Sequence, residues 1–436
     1  MARRTPRALK PLRHESYRWL FASIVMAMLS AGLLIVGLVW QVVALGGGPT
    51  QLSAVTSASA VGMLLTTLLG GALADRVPQK FILMGDAMLQ SAAIGAVAIL
   101  SLAGLLDIWH LTVAALITGL ATGLYYPAYS ALLPSILPAD DLLAANGLEG
   151  VLRPMLMQAG GPALASALIA VWSPGLALAA AAAAAFGGGL FVIALPTTSV
   201  RRELTDVGTS PVVALLRDVR EGFVYMVRTP WLFATLLYAS VMILVMMGPF
   251  EVLVPFAIKD QAGGGPPEHA YVLAAFGVGS AIGSLVVASF RLPRRYLTVM
   301  NLLWGLGCIP LVVFGVSSQV WVMVVAGLVM GAMFQGGMVI WGTLLQRRVP
   351  SALLGRVSSL DFFVSLAFMP ISMALAGPVS ELIGLGTTFL VAGLVPVGLA
   401  IITILVARLP ADEIAHPLDS VDEGSAELAA LQERPD

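Results

Sequence analysis

Long apolar runs separated by short polar breaks dominate the chain, at 19–45, 51–74, 81–104, 110–133, 146–172, 175–196, 231–258, 270–290, 296–316, 319–346, 357–384 and 386–409. A helix needs about 20 residues to cross the hydrocarbon core of a bilayer, so each run predicts one membrane span, twelve in all. Breaks such as Gly46–Pro49, Ser173–Gly175 and Gly263–Pro267 hold the glycine and proline that end helices. The first run follows Arg3, Arg4, Arg7, Lys10, Arg13 and Arg18. A cleaved signal peptide has an apolar core of only ~7–15 residues, so this longer run reads as a retained span.

Cytoplasmic flanks of membrane spans carry an excess of Lys and Arg. Here the basic residues gather at the N-terminus and at 76–80, 201–228, 291–295 and 347–356, that is, at every second turn, which predicts that both termini face the cytoplasm. The longest internal loop, Thr197 to Thr229, leaves six spans on either side. The expected organisation is therefore a basic N-terminus (1–18), a six-helix bundle (19–196), a linker (197–230), a second six-helix bundle (231–409) and an acidic tail (410–436). Within the linker, Val213, Leu216, Val219 and Phe223 alternate with Arg217, Arg220 and Glu221, the pattern of an amphipathic interfacial helix. It reads as a strap beneath the bundle or as a regulatory element. The tail, rich in Asp and Glu, buries too little apolar surface to order itself.

Composition narrows the class. The chain is 58% hydrophobic and 11% charged, whereas soluble domains are about a quarter charged. Cys308 has no second cysteine to pair with. No phosphate-binding Gly-x-x-x-x-Gly-Lys-Ser/Thr loop occurs, so nothing suggests ATP as a driver, and no His, Cys, Asp or Glu cluster has metal-ligand spacing. No cofactor, metal or nucleic acid is expected, and no catalytic constellation suggests an enzyme.

The two halves repeat one another. A shift of 215 positions lays Val77–Asp86 on Leu292–Asn301, with Pro78 on Pro293, Gly62 on Gly277 and Arg76 on Arg291, while Asp75 falls on Phe290. A shift of 212 matches Gly119 with Gly331, Pro138 with Pro350 and Glu149 with Asp361. Internal repeats mark transporter folds.

Charged positions carry the chemistry. Asp75 closes a turn at the inner surface, where it can approach a helix N-terminus of the other half, and Arg76 and Lys80 can bridge to acids on neighbouring spans. Gly71-x-Leu73-Ala-Asp75-Arg76 with Lys80 resembles the signature between the second and third helices of the major facilitator superfamily, although Pro78 and Gln79 stand where that family prefers glycine and a basic residue. The resemblance implies an all-α membrane protein of twelve transmembrane helices in two pseudo-symmetric six-helix bundles, alternating access, and a central cavity lined by the first, fourth, seventh and tenth helices. Asn146-Gly-Leu-Glu149, Arg153, Gly161-Pro162 and Gly355-Arg356-Val with Asp361 look like its drug and siderophore exporter branch. Gly161 and Pro162 would be helix-packing positions, and Ala165 and Ser166 replace the paired glycines of the antiporter motif.

Ionisable groups within spans are costly and suggest function. Glu149 and Arg153, four apart, can pair on one helix face. Asp86 enters the third span near the same depth, and Asp361 is the counterpart in the second half; gating and plain structural pairing are both open. Glu251 lies between Pro249 and Pro255, each of which removes a helix hydrogen bond, so a kinked backbone should expose it to a cavity as a proton-coupling group; the alternative is an edge acid satisfied by water or Lys259. Thr118, Thr122, Tyr125 and Tyr129 share one helix face, facing the cavity or packing against a neighbour. Gln335 and Gln41 are further cavity candidates.

These readings converge on a monomeric secondary transporter in the bacterial cytoplasmic membrane, exporting amphipathic small molecules against protons. A siderophore or lysophospholipid carrier is the alternative substrate assignment, and a membrane-embedded receptor or enzyme the alternative class.

Overall fold

A computed structural model describes residues 7–74, 77–197 and 211–418, and every regular element among them is helical. In chain order the long helices are α1 (Glu15–Ala44), α2 (Pro49–Ala74), α3 (Gln79–Leu102), α4 (Ile108–Ile136), α5 (Asp140–Val171), α6 (Pro174–Ile193), α7 (Pro230–Gln261), α8 (Pro266–Ser289), α9 (Tyr296–Val316), α10 (Val320–Arg348), α11 (Arg356–Ile383) and α12 (Leu385–Val406). Among the described residues, eleven of them are long and apolar enough to cross a membrane. The remaining one, α2, is 26 residues long and carries no Asp, Glu, Lys or Arg.

Within the first half α2 packs on α4, α1 on α6, and α3 on α4 and α6; within the second, α8 packs on α10, α9 on α10 and α12, and α7 on α11 and α12. Helices in lipid associate through small residues that bring backbones together, and the repeated pairs use them alike. Gly119 of α4 lies against the Ser59 backbone of α2, and Gly331 of α10 against the Phe276 backbone of α8. The halves meet along two seams, α2 on α11 and α5 on α8. Gly119→Leu is therefore expected to force α2 and α4 apart and to destabilise the first half by about 1–3 kcal/mol, the usual cost of overpacking, read as a lower unfolding temperature in detergent.

Two elements sit on the face that carries the chain termini. The linker helix, Pro211–Arg228, lies under α11, with Gly222 against Arg356 and Leu360 and Glu221 paired with Arg356. The acidic segment after Pro410 departs from expectation at its start, because Leu409–Ala415 is a helix. Its acids find partners in the second half: Glu413, buried, accepts from the Thr298 amide at 2.6 Å and hydroxyl at 3.0 Å, and Asp412 pairs with Arg348 at 2.5 Å. Satisfied charges, which composition alone does not reveal, dock this stretch.

Candidate functional site

The middle of α7 is not regular helix. Pro249 and Pro255 cannot donate, and the backbone widens into π-helical turns at Pro249–Leu253 and Ala257–Gln261, a feature common at functional sites. Just before the first, the Gly248 amide donates to Ser372 Oγ of α11 at 2.7 Å. Both α2 and α11 pack against Pro249–Leu253, so this stretch lies at the seam between the halves. Val252, Leu253 and Val254 are buried, whereas Glu251, set deep among protein atoms, keeps an exposed side chain. No ion pair holds it among the described residues; Lys259 pairs instead with Asp260 at 3.4 Å. The Glu251 carboxyl is thus free to take up and release a proton or to meet a cationic solute.

A second group of side chains forms inside the first half. Arg153 and Glu149 pair at 2.9 Å on α5. Tyr125 and Tyr129 stack with centroids 6.0 Å apart and planes 4° from parallel, and the Tyr129 hydroxyl, buried without a well-formed hydrogen bond, faces Glu149. Asp86 accepts from Gln90 at 2.7 Å. Together with Ser23, Ser30 and Tyr125, these two line a cavity of about 20 Å³, room for a single water. Spacing alone separates the α4 stripe from the acids; the fold brings its tyrosines between Asp86 and Glu149. The threonines of the stripe do otherwise, since Thr118 and Thr122 return their hydroxyls to the Ala115 and Thr118 carbonyls of their own helix, at 3.0 and 2.9 Å.

The other expected positions separate into structural and accessible ones. Gln41 is buried and accepts from Ser101 at 2.8 Å, tying α1 to α3 rather than lining a cavity. Gln335 is half-buried on α10. Gly161 and Pro162 are buried, and a β-carbon on Gly161 would stand 2.7 Å from the Cα of Gly32, so this pair sets the crossing of α5 with α1. Asp361 stays within its own half, where Trp341 Nε1 donates to it at 2.9 Å. Gly71 lies in α2, while Asp75 and Arg76 fall outside the described residues. Among the described residues Lys80 bridges to no acid: it donates to the Ile193 and Leu195 carbonyls at 2.7 and 2.5 Å, where the end of α6 leaves carbonyls without intrahelical donors and favours a cation. Sequence reading passed over Ser53, Ser372 and Gly377, which join the helices around Glu251. Ser53 Oγ of α2 accepts from the Gly377 amide of α11 at 2.7 Å.

A bundle of this kind, two related halves meeting along two seams with an accessible carboxylate between them, has the architecture of membrane transporters. The nucleoside transporter NupG superposes with a TM-score of 0.71 at 13% identity, over 89% of this chain and 98% of that one; at that identity the likeness is one of fold. Residues 6–434 match the transmembrane secretion effector family, and the chain belongs to this family of major facilitator transporters. Among its relatives are macrolide efflux protein A of Streptococcus pyogenes, 27% identical over 79% of this chain and 85% of that protein, and the multidrug efflux pump Tap of Mycobacterium tuberculosis, 28% identical over 92% and 94%. These relatives and the structural neighbour are transporters, not enzymes.

Proposed function

We propose that the chain exports amphipathic small molecules from bacterial cytoplasm by alternating access, driven by proton antiport across the cytoplasmic membrane. In this reading α2 completes a set of twelve spans, both termini lie in the cytoplasm, and the bundles 19–196 and 231–409 rock against each other along the α2–α11 and α5–α8 seams. The chain acts as a monomer and needs neither ATP nor cofactor. Glu251 carries the reading: an accessible carboxyl with no ion pair among the described residues, on a broken helix at the meeting of α2, α7 and α11, is where proton binding can bias one arrangement of the halves over the other. Any such bias equals the difference in proton affinity between the two states. Tyr125, Tyr129 and Gln335 are the proposed contacts for the apolar, aromatic part of a substrate, and the drug pumps among the relatives make macrolides and cationic dyes the first compounds to test.

Expressed in a bacterial strain stripped of its own efflux pumps, the chain is expected to lower steady-state accumulation of at least one such compound several-fold, and a protonophore is expected to restore it. Accumulation unchanged across macrolides, dyes, siderophores and lysolipids removes export from the reading. Lowered accumulation that persists with the protonophore removes proton coupling.

A further inference from the structure

A groove of about 650 Å³ opens on the face that carries the termini, about 30 Å along α7 from Glu251 at 1.5 Å per residue. It lies between the end of the linker helix, the start of α7, the end of α10 and the terminal helix Leu409–Ala415. Its charges do not balance. Arg348 is matched by Asp412 at 2.5 Å and lies over the Trp231 ring at 4.6 Å. His416 sits 3.6 Å from the same aspartate. Arg228 and Arg347 also line the groove, are exposed, and have no acidic partner among the described residues.

The backbone adds to this positive field. Thr229, at the head of α7, turns its hydroxyl to the Tyr225 carbonyl at 2.7 Å and does not cap the helix, and Pro230 follows with no amide hydrogen. The positive end of the α7 dipole thus opens uncapped beside the two arginines. The far wall is held in place, because Glu413 fastens the terminal helix to Thr298 and Tyr296 donates to the His416 carbonyl at 2.9 Å. Immediately outside the groove the linker helix exposes Phe223 and Val227, at 53% and 45%, so apolar surface adjoins the basic recess.

We propose that this groove binds a phosphate group, with Arg228 and Arg347 as its ligands, and that the group is presented by an anionic phospholipid of the adjoining leaflet, whose chains cover Phe223 and Val227. Guanidinium forks suit phosphate oxygens, and a site at the bilayer–water boundary between apolar and basic surface fits a headgroup. The leaflet is the cytoplasmic one if the orientation proposed above holds; the groove itself does not depend on export or on Glu251.

The test uses the full chain in phosphatidylcholine nanodiscs doped with phosphatidylglycerol, with retained lipid counted by native mass spectrometry. Each arginine near an anionic surface is worth about a fivefold change in affinity, so Arg228→Gln with Arg347→Gln should weaken phosphatidylglycerol retention about thirtyfold. Arg220→Gln, exposed on the same helix outside the groove, should change it less than about twofold. The unfolding temperature in zwitterionic detergent should not move, since neither arginine has an acidic partner among the described residues, and Lys at both positions should restore most of the retention. Titration with inorganic phosphate distinguishes the source: arginine-dependent phosphate binding without lipid retention upholds the phosphate site and assigns it to a free anion. Equal retention in wild type and double variant overturns the proposal, as does an equal loss in Arg220→Gln. So does lipid retention that appears only after Asp419, Asp422 and Glu423 are neutralised, since the chain's own acids would then fill the groove.

Discussion

Glu251→Gln is expected to abolish proton-driven efflux while leaving the chain folded and inserted. The substitution keeps the size and shape of the side chain and removes only its ability to ionise. Nothing structural depends on the charge, because no ion pair holds Glu251 among the described residues. Removing a proton-transferring group commonly costs about 10²–10⁴ in rate, so coupled flux in proteoliposomes under an imposed pH gradient should fall to the level of protein-free vesicles. Exchange of labelled for unlabelled substrate, which needs the halves to rock but no net proton movement, should survive. That split distinguishes a coupling group from a substrate contact, whose loss would weaken both. Full coupled flux in the variant would take Glu251 out of the mechanism; loss of flux and exchange together would make it a binding residue.

The hydrophobic pattern carries most of the architecture because the bilayer leaves the chain few choices. Each expected apolar run coincides with a helix, with ends displaced by a few residues, as between 146–172 and Asp140–Val171. What a single sequence could not show was how spans meet. Asp86 and Glu149 are legible as costly intramembrane acids, but the tyrosine pair between them emerges only when α4 is set against α3 and α5. Lys80, read as an ion-pair former, instead caps α6 through backbone carbonyls that have no signature in sequence. The same holds for Ser53, Ser372 and Gly377, ordinary small residues of apolar helices until the seam makes them neighbours. Glu251 was legible for a different reason: the prolines that break α7 mark the position in the chain itself.

Gly377→Leu is expected to shift the balance between the two arrangements of the halves rather than to unfold either. In this structure the α2–α11 seam is closed on the face opposite the termini. A β-carbon on Gly377 would stand 2.5 Å from the Pro49 carbonyl and the Thr50 Cα, and the amide that donates to Ser53 would be pushed from its acceptor. Overpacking of this kind costs about 1–3 kcal/mol. When the clash lies between two bodies that separate in the other state, the cost falls on the closed state alone and the equilibrium moves by about 5–150-fold. Spin labels at exposed positions on α2 and α11 should report a longer distance across this face, and substrate should become more accessible from it. Gly119→Leu is the control, because Gly119 packs on Ser59 within one half and its clash persists in both states, so stability falls without a change in the distance between halves. If Gly377→Leu lowers the unfolding temperature as Gly119→Leu does and leaves that distance unchanged, the α2–α11 contact is ordinary core packing and not a gate. If the distance grows while the unfolding temperature holds, the Ser53–Gly377 contact is the element whose opening admits the outside to Glu251, which lies in the segment of α7 that α2 and α11 cover.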